Sequence, residues 1–306
     1  MRIAVVGAGG LGGYYGGRLA KAGNDVTFIA RGEQLAALQA RGLRVEAVRD
    51  AFQLPRVQAR GDAKAVGPVE LVLLTVKAYD LTRAAEGLLP QLGEGTAVVP
   101  LLNGVDIAER IGAVIGPAHV LGGLAYVFAY VAEPGVIKQV SPFDRIQFGE
   151  TRGGLSERGT RIEAALREAG IEAEQTADIQ AALWTKFMFL APSAGMSTLT
   201  RCNIGLIRSD PDTRAMLIGA IREIEALARA KHVALKPDIL AEMIARVDSM
   251  PADLKPSMAL DLDRGRRLEV EALNGTAARL GQELGVPTPI NSFIYGALKL
   301  HMDGRR

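Results

Sequence analysis

The chain has 306 residues, with 36 Lys+Arg against 34 Asp+Glu and a net charge of +2, so there is no global electrostatic case for nucleic acid or a membrane surface. Cys202 is the single cysteine, and His119, His232 and His301 are the only histidines. That excludes an intramolecular disulfide framework and a Cys-based structural zinc site, and it disfavours a multi-His metal site. At roughly 150 residues per domain, the length fits about two domains.

Arg2–Val6 is a compact β-branched run ending in glycine, which predicts a buried parallel strand. The uncharged stretch Ile3–Gly17 is too rich in glycine for the h-region of a signal peptide. Val120–Ala132 and Phe187–Thr200 are shorter than the ~18 apolar residues of a spanning helix. The expected location is therefore cytoplasmic. Helical character follows over Leu11–Ala22, then a second strand over Asp25–Ala30. Val45–Val48 and Leu54–Val57 predict a hairpin or short edge strands. Val69–Val76 is the clearest strand, Asp80–Leu92 a helix, and Thr96–Leu102 a further strand before the turn Asn103-Gly104. Repetition of strand, helix and strand implies a parallel sheet with right-handed crossovers.

Strand-like runs cease after about residue 176. Asp210-Pro211 forms an N-cap and N1 pair, and Leu217, Ile221, Ile224 and Ala228 mark one buried helical face. Val270, Leu273, Ala277, Leu280 and Leu284 predict another helix, closed by Gly285 and Pro287. Pro289–His301 reads as a last helix. The expectation is an α/β domain over residues 1–176, then an all-α domain over residues 177–306. Apolar helical faces in the latter are compatible with a homodimer.

Gly7-Ala8-Gly9-Gly10-Leu11-Gly12 follows a strand directly and opens a helix, the context that gives a G-x-G-x-x-G its force. Gly7 permits the tight turn, Gly9 lets backbone approach a pyrophosphate, and Gly12 allows close helix–strand packing. This makes the first half a Rossmann-type, mostly parallel sheet. The second strand ends without the acid that would accept from a ribose 2′-hydroxyl and exits into Arg31-Gly32. A guanidinium suits a 2′-phosphate, so NADP is favoured over NAD. In the second half, Lys186 stands alone in the apolar run Ala181–Leu190. It is either a snorkelling surface lysine or a desolvated proton donor. The acids near Asp261, Glu269 and Glu271 are candidates for its counter-charge.

Taken in order, Gly7–Gly12, Arg31-Gly32, Leu74–Ala78, Asn103-Gly104, Leu183–Lys186, Ser257-Met258 and Glu269–Gly275 resemble the ketopantoate reductase family, from Met1 to Leu300. The resemblance implies an NADPH-dependent reduction of a 2-oxo acid, with the active site between a Rossmann domain and a helical domain. By position it implies Lys186 as general acid and Glu269 as its neighbour near the nicotinamide ribose. It also implies Lys77 at the cofactor's edge, Asn103 touching both cofactor and substrate, and Ser257 on the substrate carboxylate. Ser257 also reads as a helix cap after Pro256, and Asn103-Gly104 as an ordinary turn. The match breaks where the family carries substrate-binding asparagines four and eight residues after the lysine. Leu190 and Ala194 stand there, with Ser193, Ser197 and Thr198 as partial substitutes, and Ile204 beside Asn203 replaces a third. A bulkier or more apolar 2-oxo acid is thus one alternative substrate. A non-catalytic NADP-binding sensor is the alternative from another class. It would need only the glycine loop, so Lys186, Asn103 and Glu269 argue against it.

Overall fold

The computed structural model describes residues 1–304. Two compact units are present: Met1–Leu102 with Asp106–Ile179, and Asn103–Val105 with Gln180–Arg306.

In the first unit, β1 (Arg2–Val6), α1 (Gly10–Lys21), β2 (Asp25–Ile29) and α2 (Gly32–Arg41) open the chain. After them come β3 (Leu43–Glu46), β4 (Phe52–Leu54), β5 (Gln58–Arg60), β6 (Leu71–Leu74), α3 (Leu81–Leu88) and β7 (Ala97–Pro100). One sheet runs in the order β5-β2-β1-β6-β7, every pair parallel, with Val5 opposite both Phe28 and Leu73. Ile3, Val5, Phe28, Leu71 and Leu73 are fully buried, which is why these strands read as continuous apolar runs.

The predicted hairpin does form, as the antiparallel pair β3 and β4, but both strands begin two residues earlier than expected. Leu43 and Val45 point inward while Val48 is 61% exposed, and Pro55, which has no N–H to donate, follows the last residue of β4. Beyond β7 the parallel pattern is incomplete. α4 (Ile107–Ile115), β8 (Leu121–Tyr126), β9 (Ala129–Glu133), β10 (Val136–Gln139), β11 (Arg145–Glu150), α5 (Glu157–Glu168) and β12 (Ala173–Gln175) follow. They complete two mixed sheets, β4-β3-β10-β9 and β12-β11-β8, in which β10 with β9 and β11 with β8 are antiparallel. These strands are short and rich in glycine or polar residues, so neither apolar runs nor strict alternation announces them.

The second unit is helical: α6 (Ile179–Thr200), α7 (Ile204–Ser209), α8 (Pro211–Ala230), α9 (Ile239–Ser249), α10 (Ser257–Asp263), α11 (Thr276–Leu284) and α12 (Pro289–Lys299). Asp210 accepts from the Thr213 N–H at 2.9 Å and caps α8, with Pro211 in the first turn. Leu217, Ile221, Ile224 and Ala228 are all fully buried. The helix expected from Val270 instead begins as a π-turn over Glu271–Gly275 and continues as α11. Gly285 ends it in the left-handed region at φ +66°, and Leu284, at the last position, is exposed. Among the described residues no helix is long and apolar enough to cross a membrane.

Trp184, the only tryptophan, is buried in the same core as Ile221 and reports on it selectively. Ile221→Ala removes a fully buried side chain and is expected to cost about 2–5 kcal/mol. The check is a lower urea midpoint in Trp184 fluorescence; an unchanged midpoint would contradict the assigned core.

Candidate active site

The glycine loop between β1 and α1 is built for close approach. Gly7 has φ +103°, and a Cβ there would sit 2.9 Å from the Thr75 carbonyl group. At Gly12 a Cβ would lie 2.2 Å from the Gly7 oxygen and 2.4 Å from Thr75 Oγ1, so helix and strand meet where only glycine fits. Thr75 Oγ1 donates to the Gly7 oxygen at 2.8 Å, and Gln34 Nε2 donates to the Ala8 oxygen at 2.9 Å. Gly10 has a packing reason of its own, because a Cβ there would strike the Ala129 oxygen of β9 at 2.2 Å.

Gly9 is the exception, since a Cβ there meets nothing within 4 Å among the described residues. Its N–H turns back to the Gly7 oxygen at 2.7 Å, while Gly10, Leu11 and Gly12 donate to no backbone carbonyl among the described residues. Open space beside unpaired N–H groups at a helix start suits a pyrophosphate, so the residues fit a dinucleotide. Arg31 leaves β2 exposed, and its guanidinium has no hydrogen bond or ion pair among the described residues. Lys77 is half-buried just after β6.

In the helical unit, α6 is apolar on nearly every side, and Lys186 is half-buried in it. Its Nζ donates to Asn103 Oδ1 at 3.0 Å. Removal from water pushes the ammonium down to about 8, the guanidinium of Arg246 adds to that, and the carboxylate of Glu269 opposes it. The expected counter-charge is therefore Glu269, which is itself buried. The third charged group is Arg246. It lies in α9, stacked on the ring of Phe189 at 4.9 Å, and no local pattern announces a cation that folding brings beside another.

Lys186, Asn103 and Glu269 thus come together within one unit. Ser257, by contrast, is exposed at the first turn of α10, makes no capping bond, and has no hydrogen bond to those three. Leu190 is half-buried and Ala194 buried. Thr198 donates to the Ala194 oxygen at 2.6 Å and is occupied. Ser193 and Ser197 are buried with hydroxyls that meet no partner among the described residues, and at seven and eleven residues from Lys186 they share its helical face. Asn203 caps α7 by accepting from the Leu206 N–H.

Residues 3–153 match the family described as Ketopantoate reductase PanE/ApbA, and residues 178–302 match its C-terminal counterpart. The 2-dehydropantoate 2-reductase of Mesorhizobium japonicum is 33% identical, with 94% of each chain covered. An uncharacterized oxidoreductase of Bacillus subtilis, YkpB, is 31% identical over 98% of this chain and 99% of its own. The crystal structure of a PanE/ApbA family ketopantoate reductase from Ralstonia eutropha JMP134 superposes with a TM-score of 0.91 at 31% identity, covering 99% of this chain and 98% of the other.

The loop geometry predicts a split between two neighbouring glycines. Gly9→Ala meets no atom of the described residues, so it should unfold at the wild-type temperature yet bind a nicotinamide dinucleotide at least tenfold more weakly. Gly12→Ala should lose both stability and affinity. Thermal unfolding beside a nucleotide titration separates them, and undiminished binding by Gly9→Ala would contradict the cradle.

Proposed function

Since this chain belongs to the ketopantoate reductase family, we propose that it reduces a 2-oxo acid to the 2-hydroxy acid with NADPH, Lys186 acting as general acid. The observation that carries this reading is the Lys186 ammonium, held in an apolar helix, bonded to Asn103 and brought down to about 8. A donor with that affinity is protonated at neutral pH and close enough to it to release the proton readily.

Bound nicotinamide supplies the hydride. As the carbonyl carbon accepts it, negative charge grows on the oxygen. The Lys186 ammonium stabilises that charge and protonates it. Asn103 fixes the direction of the ammonium through its amide oxygen, and Glu269 keeps it charged against the desolvation. The α/β residues Gly7–Gly12 would hold the pyrophosphate, Arg31 would meet the 2′-phosphate, Lys77 would lie at the cofactor's edge, and Ser257 would take the substrate carboxylate. Ketopantoate is the first substrate to test. The second reading, an apolar or aromatic 2-oxo acid, is favoured by Leu190 and Ala194, whose side chains have nothing to offer a substrate hydroxyl. Leaving that hydroxyl unpaired would cost about 1–3 kcal/mol.

NADPH oxidation at 340 nm with a panel of 2-oxo acids is the direct test. Because the ammonium loses its proton as pH rises through about 8, kcat/KM should be flat below that value and fall above it. Lys186→Ala should lower kcat by about 10²–10⁴ and abolish that limb while leaving nucleotide binding intact. Normal turnover by the variant would make Lys186 a bystander.

Cofactor choice is tested separately. Arg31→Asp removes charge-assisted contacts and should weaken NADPH by about 10–100-fold while improving NADH. Equal use of both cofactors by the unaltered protein would overturn the assignment.

A further inference from the structure

The turn that begins at Glu269 and the helix that carries Lys186 are joined by one buried side chain. The Glu269 carbonyl accepts from the N–H groups of Ala272 and Leu273, and Gly275 N–H reaches the Val270 oxygen at 2.9 Å. Glu269 is therefore the first residue of a continuous turn whose wide π geometry, Glu271–Gly275, carries Asn274 into the core. Asn274 is fully buried. Its Nδ2 donates to the Ala191 oxygen of α6 at 3.3 Å and to Asn291 Oδ1 at 3.0 Å.

Asn291 is anchored in turn, its own Nδ2 donating to Glu223 Oε2 at 2.7 Å and to the Ala220 oxygen at 3.1 Å. The Glu223 carboxylate also accepts the N–H groups of Ile290 and Asn291 at 2.8 and 2.9 Å, fixing the start of α12 to α8. The bond to α6 falls beside Pro192, which has no N–H for the Met188 carbonyl and weakens the helix just beyond Lys186. Gly195 completes the seat, because a Cβ there would lie 2.6 Å from Asn274 Oδ1 and 2.7 Å from Nδ2.

We infer that Asn274 is a positioning residue for the Lys186–Glu269 pair: its amide, held by Asn291 and Glu223, pins the turn that starts at Glu269 to the middle of α6. Its own hydrogen-bond partners are the Ala191 carbonyl and Asn291, not Lys186 or the Glu269 carboxylate. The charged groups that act on Lys186 are Glu269, ahead of the π-turn, and Arg246 on α9. Loosening the turn removes the favourable carboxylate and leaves the guanidinium, so the ammonium should give up its proton at lower pH. The kinetic consequence rests on the general-acid role proposed above; the titration does not.

Two variants test it. Asn274→Leu keeps similar volume and removes the donor. Gly195→Ala leaves Asn274 intact, favours helix, and wedges a methyl group into the seat. The readout free of turnover is the rate of acylation of Lys186 against pH, followed by peptide mass spectrometry, with Glu269→Gln as the reference for complete loss of the carboxylate. Both variants should retain buried Trp184 fluorescence and wild-type nucleotide affinity. Both should shift the Lys186 titration to lower pH in the direction of Glu269→Gln, and lose tenfold or more in kcat/KM at neutral pH with the alkaline limb moved likewise. Folded variants whose Lys186 titrates as in the wild type would overturn the positioning role. A shifted titration with unchanged kcat/KM would uphold the positioning and refute the general-acid reading instead. Should Asn274→Leu fail to fold, Gly195→Ala decides alone.

Discussion

An ammonium in an apolar helix is the constraint around which the helical unit is arranged. Taking a charge out of water is costly unless paired groups compensate. For Lys186 the compensation comes from the amide of Asn103 and the carboxylate of Glu269. Arg246 works against them, which keeps the balance near neutrality rather than restoring an ordinary lysine. Each group arrives from a different part of the chain: the loop after β7, helix α9, and the turn before α11. Small displacements of any one would move the proton affinity, so a site of this kind needs a rigid support.

That support is polar as well as apolar. Glu223, Asn291 and Asn274 form a buried chain of hydrogen bonds across α8, α12 and the π-turn to α6. Within a low-dielectric interior such a network strengthens its members and penalises every alternative packing that would strand them. Two buried hydroxyls, Ser193 and Ser197, stay outside it. Thr198 and Thr200, on the same helix, turn their hydroxyls onto carbonyls four residues back. The contrast sets those serines apart from ordinary back-bonded helical side chains.

The α/β unit obeys a different constraint, the absence of side chains. Gly7 and Gly12 let strand, loop and helix meet at distances no Cβ allows, Gly10 lets β9 lie across the helix start, and Gly9 leaves space that no described residue fills. Thr75 and Gln34 then hold the loop by its carbonyls, leaving N–H groups as the exposed functionality. Which backbone groups the fold has already used thus decides which remain to meet a ligand.

Much of this was legible in the residues themselves. Strands β1, β2, β6 and β7, the glycine loop, the capped helix α8 and the left-handed stop at Gly285 are encoded by local pattern, because burial on both faces, cap chemistry and positive φ each demand particular residue types at adjacent positions. The order of motifs along the chain likewise pointed to the family. The strands between residues 121 and 175 were not legible, since their pairing is decided by partners far away in sequence and their composition carries no period. Nor was the π-turn, which reads as helix by spacing. Local sequence offered Lys186 as either snorkelling or functional; only the tertiary structure brings Asn103, Glu269 and Arg246 to it, because a proton affinity is set by the charges and water within a few ångströms, whatever their distance along the chain.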